Sequence, residues 1–164
     1  MSLEQTNLLD RPGQMWRQMG RALFAIQMLE YVLSHYIVVR LLHKSRDEAI
    51  ELLEKSLAKT LGQLIKTLKD DKVPIPDGYE DRLNHFVAER NWLVHRLYRE
   101  NSEHIFSGVK YEIVIKRIMV LIAEAKSISQ TIVELSEQWR YKQGMTKEQY
   151  DAEIKKWLSK IEYS

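Results

Sequence analysis

From Tyr111 to Trp139 the apolar residues Tyr111, Val114, Ile118, Leu121, Ala125, Ile128, Ile132, Leu135 and Trp139 alternate at intervals of three and four. Residues so spaced lie above one another on a helix, so this is one seam along a long helix that stops near Gln143-Gly144. Composition points the same way. Three prolines and six glycines in 164 residues, with abundant Leu, Ile, Glu and Lys, favour long helices, and the expected fold class is all-α.

The length suits one domain, residues 1–164, with a substantial core. Without cysteine there is no disulfide framework, thiolate metal site or cysteine nucleophile, which leaves histidine and carboxylates to carry any chemistry. A net charge of +2 is not the strongly basic footprint of a dedicated DNA binder, and no DNA partner is expected. The greasiest segment, Ala22 to Val39, is broken by Gln27, Glu30, Ser34 and His35, and the N-terminus has no signal-peptide pattern. The expected setting is the cytoplasm, away from the membrane.

A first helix is predicted from Asp10–Pro12 to about His43, with Met19, Leu23, Ile26, Leu33 and Ile37 on one stripe and apolar residues on most other sides. Ser45-Arg46-Asp47-Glu48 has the form of a capping box and opens a second helix with the stripe Ile50, Leu53, Leu57, Leu61, Leu64 and Leu68. Asp70 to Gly78, with two prolines and a glycine, ends it. Asp77 with Glu80 is the candidate cap of a third helix, about Tyr79 to Arg99, and Asn101 to Gly108 is the expected connection to the fourth. Thr146-Lys147-Glu148-Gln149 is another capping box, before a short C-terminal helix (about 146–161) with Tyr150, Ile154, Trp157, Leu158 and Ile161 on its apolar face. These elements predict an up-and-down four-helix bundle over about 12–143 with a C-terminal appendage.

The third helix carries Arg90-Asn91-Trp92-Leu93-Val94-His95. Its apolar stripe runs through Leu83, Phe86, Leu93 and Leu97, and at helical spacing Arg90 stands where a core leucine would go. Such an arginine either snorkels to solvent or makes one structural ion pair, or it serves an interface or a pocket. Arginine offers a fixed fork of donors to a phosphate, and histidine exchanges a proton near neutrality. On an ideal helix five residues rotate by about 140°, so Arg90 and His95 point apart, whereas Asn91 and His95, four apart, share a face on which Asn91 could orient the imidazole. Arg82, Arg96 and Arg99 add flanking cations.

In these six residues, and in the helical order of about residues 12–143, the chain resembles the HEPN superfamily (higher eukaryotes and prokaryotes nucleotide-binding domains). Its ribonuclease members carry arginine, a polar residue, three variable residues and histidine. The resemblance implies a metal-independent endoribonuclease without a cofactor, acting on RNA as a homodimer whose motif helices face each other. Such proteins are often toxins held by an antitoxin protein, or antiviral effectors. It also implies that His95 is a general acid or base at the 2′-hydroxyl or leaving oxygen, that Arg90 stabilises the phosphorane, and that Asn91 positions the histidine or a phosphate oxygen. One branch of the family adds a tyrosine two residues after the histidine. Leu97 holds that position here and Tyr98 follows it.

Glu30 interrupts the first helix's stripe as Arg90 interrupts the third's, and the two could pair, or Glu30 could face solvent. His85 and Glu89 are one turn apart, without a second such pair or an HExxH pattern, so no metal site is expected. The alternative to an enzyme is a non-catalytic helical dimer that binds a partner protein or a nucleotide, with Arg90 and His95 as contact residues.

Overall fold

The three-and-four seam forms one 32-residue helix in the computed structural model, which describes residues 11–41, 46–107, 110–149 and 152. In chain order the elements are α1 (Arg11–Leu41), α2 (Arg46–Leu57), α3 (Leu61–Asp70), α4 (Tyr79–Asn91), a π-helical turn (Trp92–Arg96), α5 (Leu97–Ser107) and α6 (Tyr111–Lys142). No strand occurs among the described residues, and the all-α expectation holds.

Along α6 the seam from Tyr111 to Ile132 is buried, and Leu135 and Trp139 are partly so. It packs chiefly on α1. The expected stripe of α1 holds at Met19, Ile26, Leu33 and Ile37 and fails only at Leu23. Met15, Met19, Ala22, Ile26, Leu29, Leu33 and Tyr36 alternate at four and three and face the core, whereas Leu23 is 43% exposed. Surplus apolar residues on the outer side of α1 obscured this register. The two helices run parallel: Tyr111 Oη donates to the Arg11 carbonyl (3.1 Å) at one end, and the Arg40 guanidinium lies 5.5 Å from the Trp139 ring centre at the other. At 1.5 Å per residue this contact is about 45 Å long. By length and composition α1 could also cross a bilayer, contrary to the sequence expectation, although half of its most apolar window is buried against other helices.

Strict up-and-down order would make the first and last helices antiparallel. They are parallel because the expected second helix is broken. The chain stops at Leu57 and restarts at Leu61, where Thr60-Leu61-Gly62-Gln63 is a capping sequence and the Thr60 N–H donates to Gln63 Oε1 at 2.8 Å. Ser34 Oγ donates to the Ser56 carbonyl (3.3 Å), and Tyr36 Oη to the Pro74 carbonyl, so α2 and α3 leave and return to the same end of α1. Leu61, Leu64, Ile65 and Leu68 of α3 are buried, while Ile50 and Leu57 of α2 are exposed.

The Asp70–Gly78 loop forms as expected. Asp77 does not cap α4: Gly78 takes that position at φ +74°, a left-handed conformation that costs glycine little. From Tyr79 the helix continues past the expected end at Arg99 to Ser107, interrupted only by the π turn. It runs antiparallel to α6, with Tyr79 beside Ile128, Arg82 beside Glu124 and Glu89 beside Arg117. The capping box at Thr146 forms, with the Thr146 N–H donating to Gln149 Oε1 (2.9 Å) and the Gln149 N–H to Thr146 Oγ1 (3.3 Å). His43, Ser45 and the apolar face from Tyr150 to Ile161 lie outside the described residues.

Candidate functional site

The widened turn lies within the hexapeptide. The Leu97 N–H donates to the Trp92 carbonyl, five residues back instead of four. Such turns are rare. Trp92, which opens the turn, and Leu97, which follows it, are 2% and 1% exposed. Arg90 precedes the turn and His95 lies within it.

Arg90 is half-buried on the core stripe, between Phe86 and Leu93. Its Nη1 donates to Asn91 Oδ1 at 3.1 Å, and its Nε is buried with no partner. No carboxylate among the described residues pairs with it. Arg90 thus makes no ion pair among the described residues, and its half-buried side chain is partly in contact with solvent. Asn91 turns its carboxamide oxygen to Arg90 and makes no hydrogen bond with His95. The expected role of orienting the imidazole is therefore not seen, because the Asn91 oxygen is engaged by Arg90.

His95 is exposed and faces outward with Val94, Tyr98 and Arg99, all exposed. Arg96 reaches Glu100 at 3.9 Å, a solvent-exposed pair that holds it loosely. Sequence reasoning thus located the cations, the imidazole and Tyr98 on one stretch. The structure adds that the face carrying His95, Tyr98 and Arg99 is exposed.

Glu30 does not pair with Arg90. Its Oε1 accepts from the Leu61 N–H at 3.0 Å, at the first turn of α3, where free N–H groups and the helix dipole favour a carboxylate. No local pattern announces this contact, since Glu30 and Leu61 are 31 residues apart. Glu30→Ala should cost about 1–2 kcal/mol in urea denaturation, and its effect should add to that of Arg90→Ala. A coupling energy above about 0.5 kcal/mol in the double variant would contradict the separation of the two sites.

Sequence reasoning missed the support behind the motif. On α6, Arg117 donates from Nε and Nη2 to the two oxygens of Glu89 (2.7 and 2.8 Å), and its guanidinium carbon lies 3.8 Å from the Trp92 ring centre. Two turns earlier on α4, Arg82 donates to both oxygens of Glu124 (2.6 and 3.1 Å) and to Ser127 Oγ (2.7 Å). Arg117 and Arg82 lie off every apolar seam, so periodicity does not reveal them. Glu89, one turn from His85, is engaged by Arg117.

The hydrogen bond from Arg117 holds the Glu89 carboxyl below its ordinary pKa, and that from Arg82 does the same for Glu124. His35, half-buried and 4.4 Å from the Tyr31 ring, is held below its ordinary pKa by burial. In all three the folded state binds its proton less readily than the unfolded state. Their stabilisation is therefore present at neutral pH and is lost on acidification. Denaturation midpoints should decline first below about pH 6.5, from His35, and again below about pH 4.3, from the glutamates. His35→Phe should remove the first decline, and an unchanged profile would exclude His35 as its source.

Among the described residues no three His, Asp or Glu side chains gather as a metal-binding group. Comparison of the chain with family models, curated proteins and solved structures finds no match to any of them.

Proposed function

We propose that this chain is a HEPN-type, metal-independent endoribonuclease, a toxin or antiviral effector of the cytoplasm that acts as a homodimer. The observation that carries this reading is Arg90, a cation in a core stripe with no carboxylate partner among the described residues and one buried donor unused. A half-buried guanidinium without a counter-charge is costly to keep. A phosphate would supply the missing acceptor atoms and the opposite charge.

His95 takes the proton from the 2′-hydroxyl as the 2′-oxygen attacks phosphorus. Arg90 stabilises the charge on the phosphorane, and the 5′-oxygen leaves with a proton, giving a 2′,3′-cyclic phosphate and a 5′-hydroxyl end. Asn91 holds the Arg90 fork, and Arg96, Arg99 and Tyr98 line the approach to the RNA. In the bundle reading, α2 and α3 together take the place of one rod beside α1, α4–α5 and α6. A second copy supplies the second imidazole that a concerted acid–base reaction needs.

The test is incubation of purified protein with RNA in EDTA, with end-group analysis of the products and light scattering to measure the assembly. Cyclic-phosphate ends from a dimer are expected. Intact RNA, or a strict monomer that cleaves, contradicts the corresponding part of the reading.

A second reading, a non-catalytic dimer that binds a partner protein or a nucleotide, is favoured by an apolar ridge on the outer side of α1. Trp16, Leu23, Phe24, Met28 and Tyr31 are all exposed there, Phe24 by 65%. Growth arrest on expression in a bacterial host, relieved by His95→Ala, separates the enzyme from the binder.

A further inference from the structure

We propose that the outer face of α1 is a dimer interface, on which the same face of a second copy lies antiparallel. This rests on the second reading, whose dimer it gives a definite contact, and does not depend on the ribonuclease reading. The exposed residues of α1 run from Trp16 to Tyr31. Beyond Tyr31 the helix is covered, with Ser34 bonded to Ser56 at the end of α2.

Within that run Trp16, Gly20, Phe24, Gln27 and Tyr31 are spaced by three and four and form one exposed stripe. Its midpoint falls between Leu23 and Phe24. A two-fold axis there sets Trp16 opposite the partner's Tyr31, Gly20 opposite the partner's Gln27, and Phe24 beside its own copy. Such self-complementarity is what a two-fold contact requires. Gly20 is the notch in the stripe: a Cβ built on it meets nothing within 4 Å in the single chain, and its lack of a side chain lets a second helix approach. Leu23 stands at the rim, where truncation changes affinity little.

Charge selects the direction. The exposed charged residues of the run are Arg17 and Arg21. Parallel helices would set each cation against its copy, whereas antiparallel ones part the two Arg17 side chains by about 20 Å along the axis. The area is sufficient. Trp16, Phe24, Met28 and Tyr31 are 60%, 65%, 43% and 37% exposed, which amounts to roughly 450 Å² of apolar surface per copy. Two copies with their polar rims then bury about the 1,000 Å² that a stable contact needs. Because Tyr111 meets Arg11 and Glu89 meets Arg117, each motif helix lies toward the Arg11 end of α1, and antiparallel pairing holds the two motifs apart. This contact is therefore different from the one a composite ribonuclease site needs.

The full-length protein should be a dimer by light scattering at about 100 µM. Phe24→Asp should raise the dissociation constant at least about 100-fold, because it buries a charge without a partner, and should leave the circular-dichroism spectrum unchanged. Ile113→Asp, on α6 and as exposed as Phe24 at 65%, should leave the dissociation constant within about threefold. The chain has no cysteine, so single cysteine variants form disulfides only between copies. Under mild oxidation Phe24→Cys should link to itself. Trp16→Cys should link to Tyr31→Cys in a mixture and not to itself, since a disulfide needs Cα atoms within about 7 Å. A wild-type monomer at that concentration, a dimer that survives Phe24→Asp, or Trp16→Cys linked to itself overturns the proposal. None of these measurements involves RNA, so intact RNA would remove the ribonuclease reading and leave this interface standing.

Discussion

Alanine at His95 should reduce RNA cleavage on the order of 10²–10⁴-fold, the usual contribution of a general acid–base group, without lowering the melting temperature. His95 is exposed and hydrogen-bonds to no described residue, so its removal leaves the packing untouched. Arg90 separates catalysis from stability more sharply. Arg90→Leu completes the stripe between Phe86 and Leu93 and removes a buried Nε that has no partner. An unsatisfied buried polar group costs about 1–3 kcal/mol, so Arg90→Leu should raise the melting temperature by a few degrees while abolishing cleavage. Arg90→Lys should not restore activity, because an ammonium cannot offer the two-pronged donor geometry. A destabilised Arg90→Leu variant would mean that the arginine is structural, and cleavage unchanged in both the His95 and Arg90 variants would remove the proposed chemistry.

Phe86→Ala should give the largest loss of stability, about 3–5 kcal/mol by urea denaturation, corresponding to roughly 6–20 °C in melting temperature. Phe86 is fully buried on the stripe of α4, one turn before Arg90, among helices with little room to close over a cavity. Leu23→Ala is the informative contrast. Leu23 belongs to the stripe that periodicity assigns to the core of α1, yet it is exposed, and its truncation should cost less than about 0.5 kcal/mol. Equal losses from the two substitutions would show that the outer face of α1 is covered in solution.

The difference between these two residues shows how far the pattern could be read. α6 was legible because its three-and-four seam runs unbroken from Tyr111 to Trp139, even though Ile113, Met119 and Val120 add exposed apolar residues beside it. In α1 apolar residues occur on every side, so several registers fit and the one that burial selects, through Met15, Ala22 and Leu29, depends on α6. The break at Thr60 was written in a capping sequence, but the unbroken run of leucines on either side concealed it. The motif itself was legible as residue types. Asn91 serving Arg90, and Glu30 capping α3, were not.

What the sequence by itself determined was the helical class, the position of the main seams, the Asp70–Gly78 loop and the juxtaposition of arginine and histidine on one helical stretch. These arise from side-chain spacing and local hydrogen bonding, which act within a few residues. Only the tertiary structure decided that α1 and α6 run parallel, that Glu30 serves a helix 31 residues away, and that the motif helix takes in an extra residue at Trp92. Each of those depends on a partner distant in the chain. The free energy of a buried seam or an unusual turn is set by what packs against it, which local spacing does not specify.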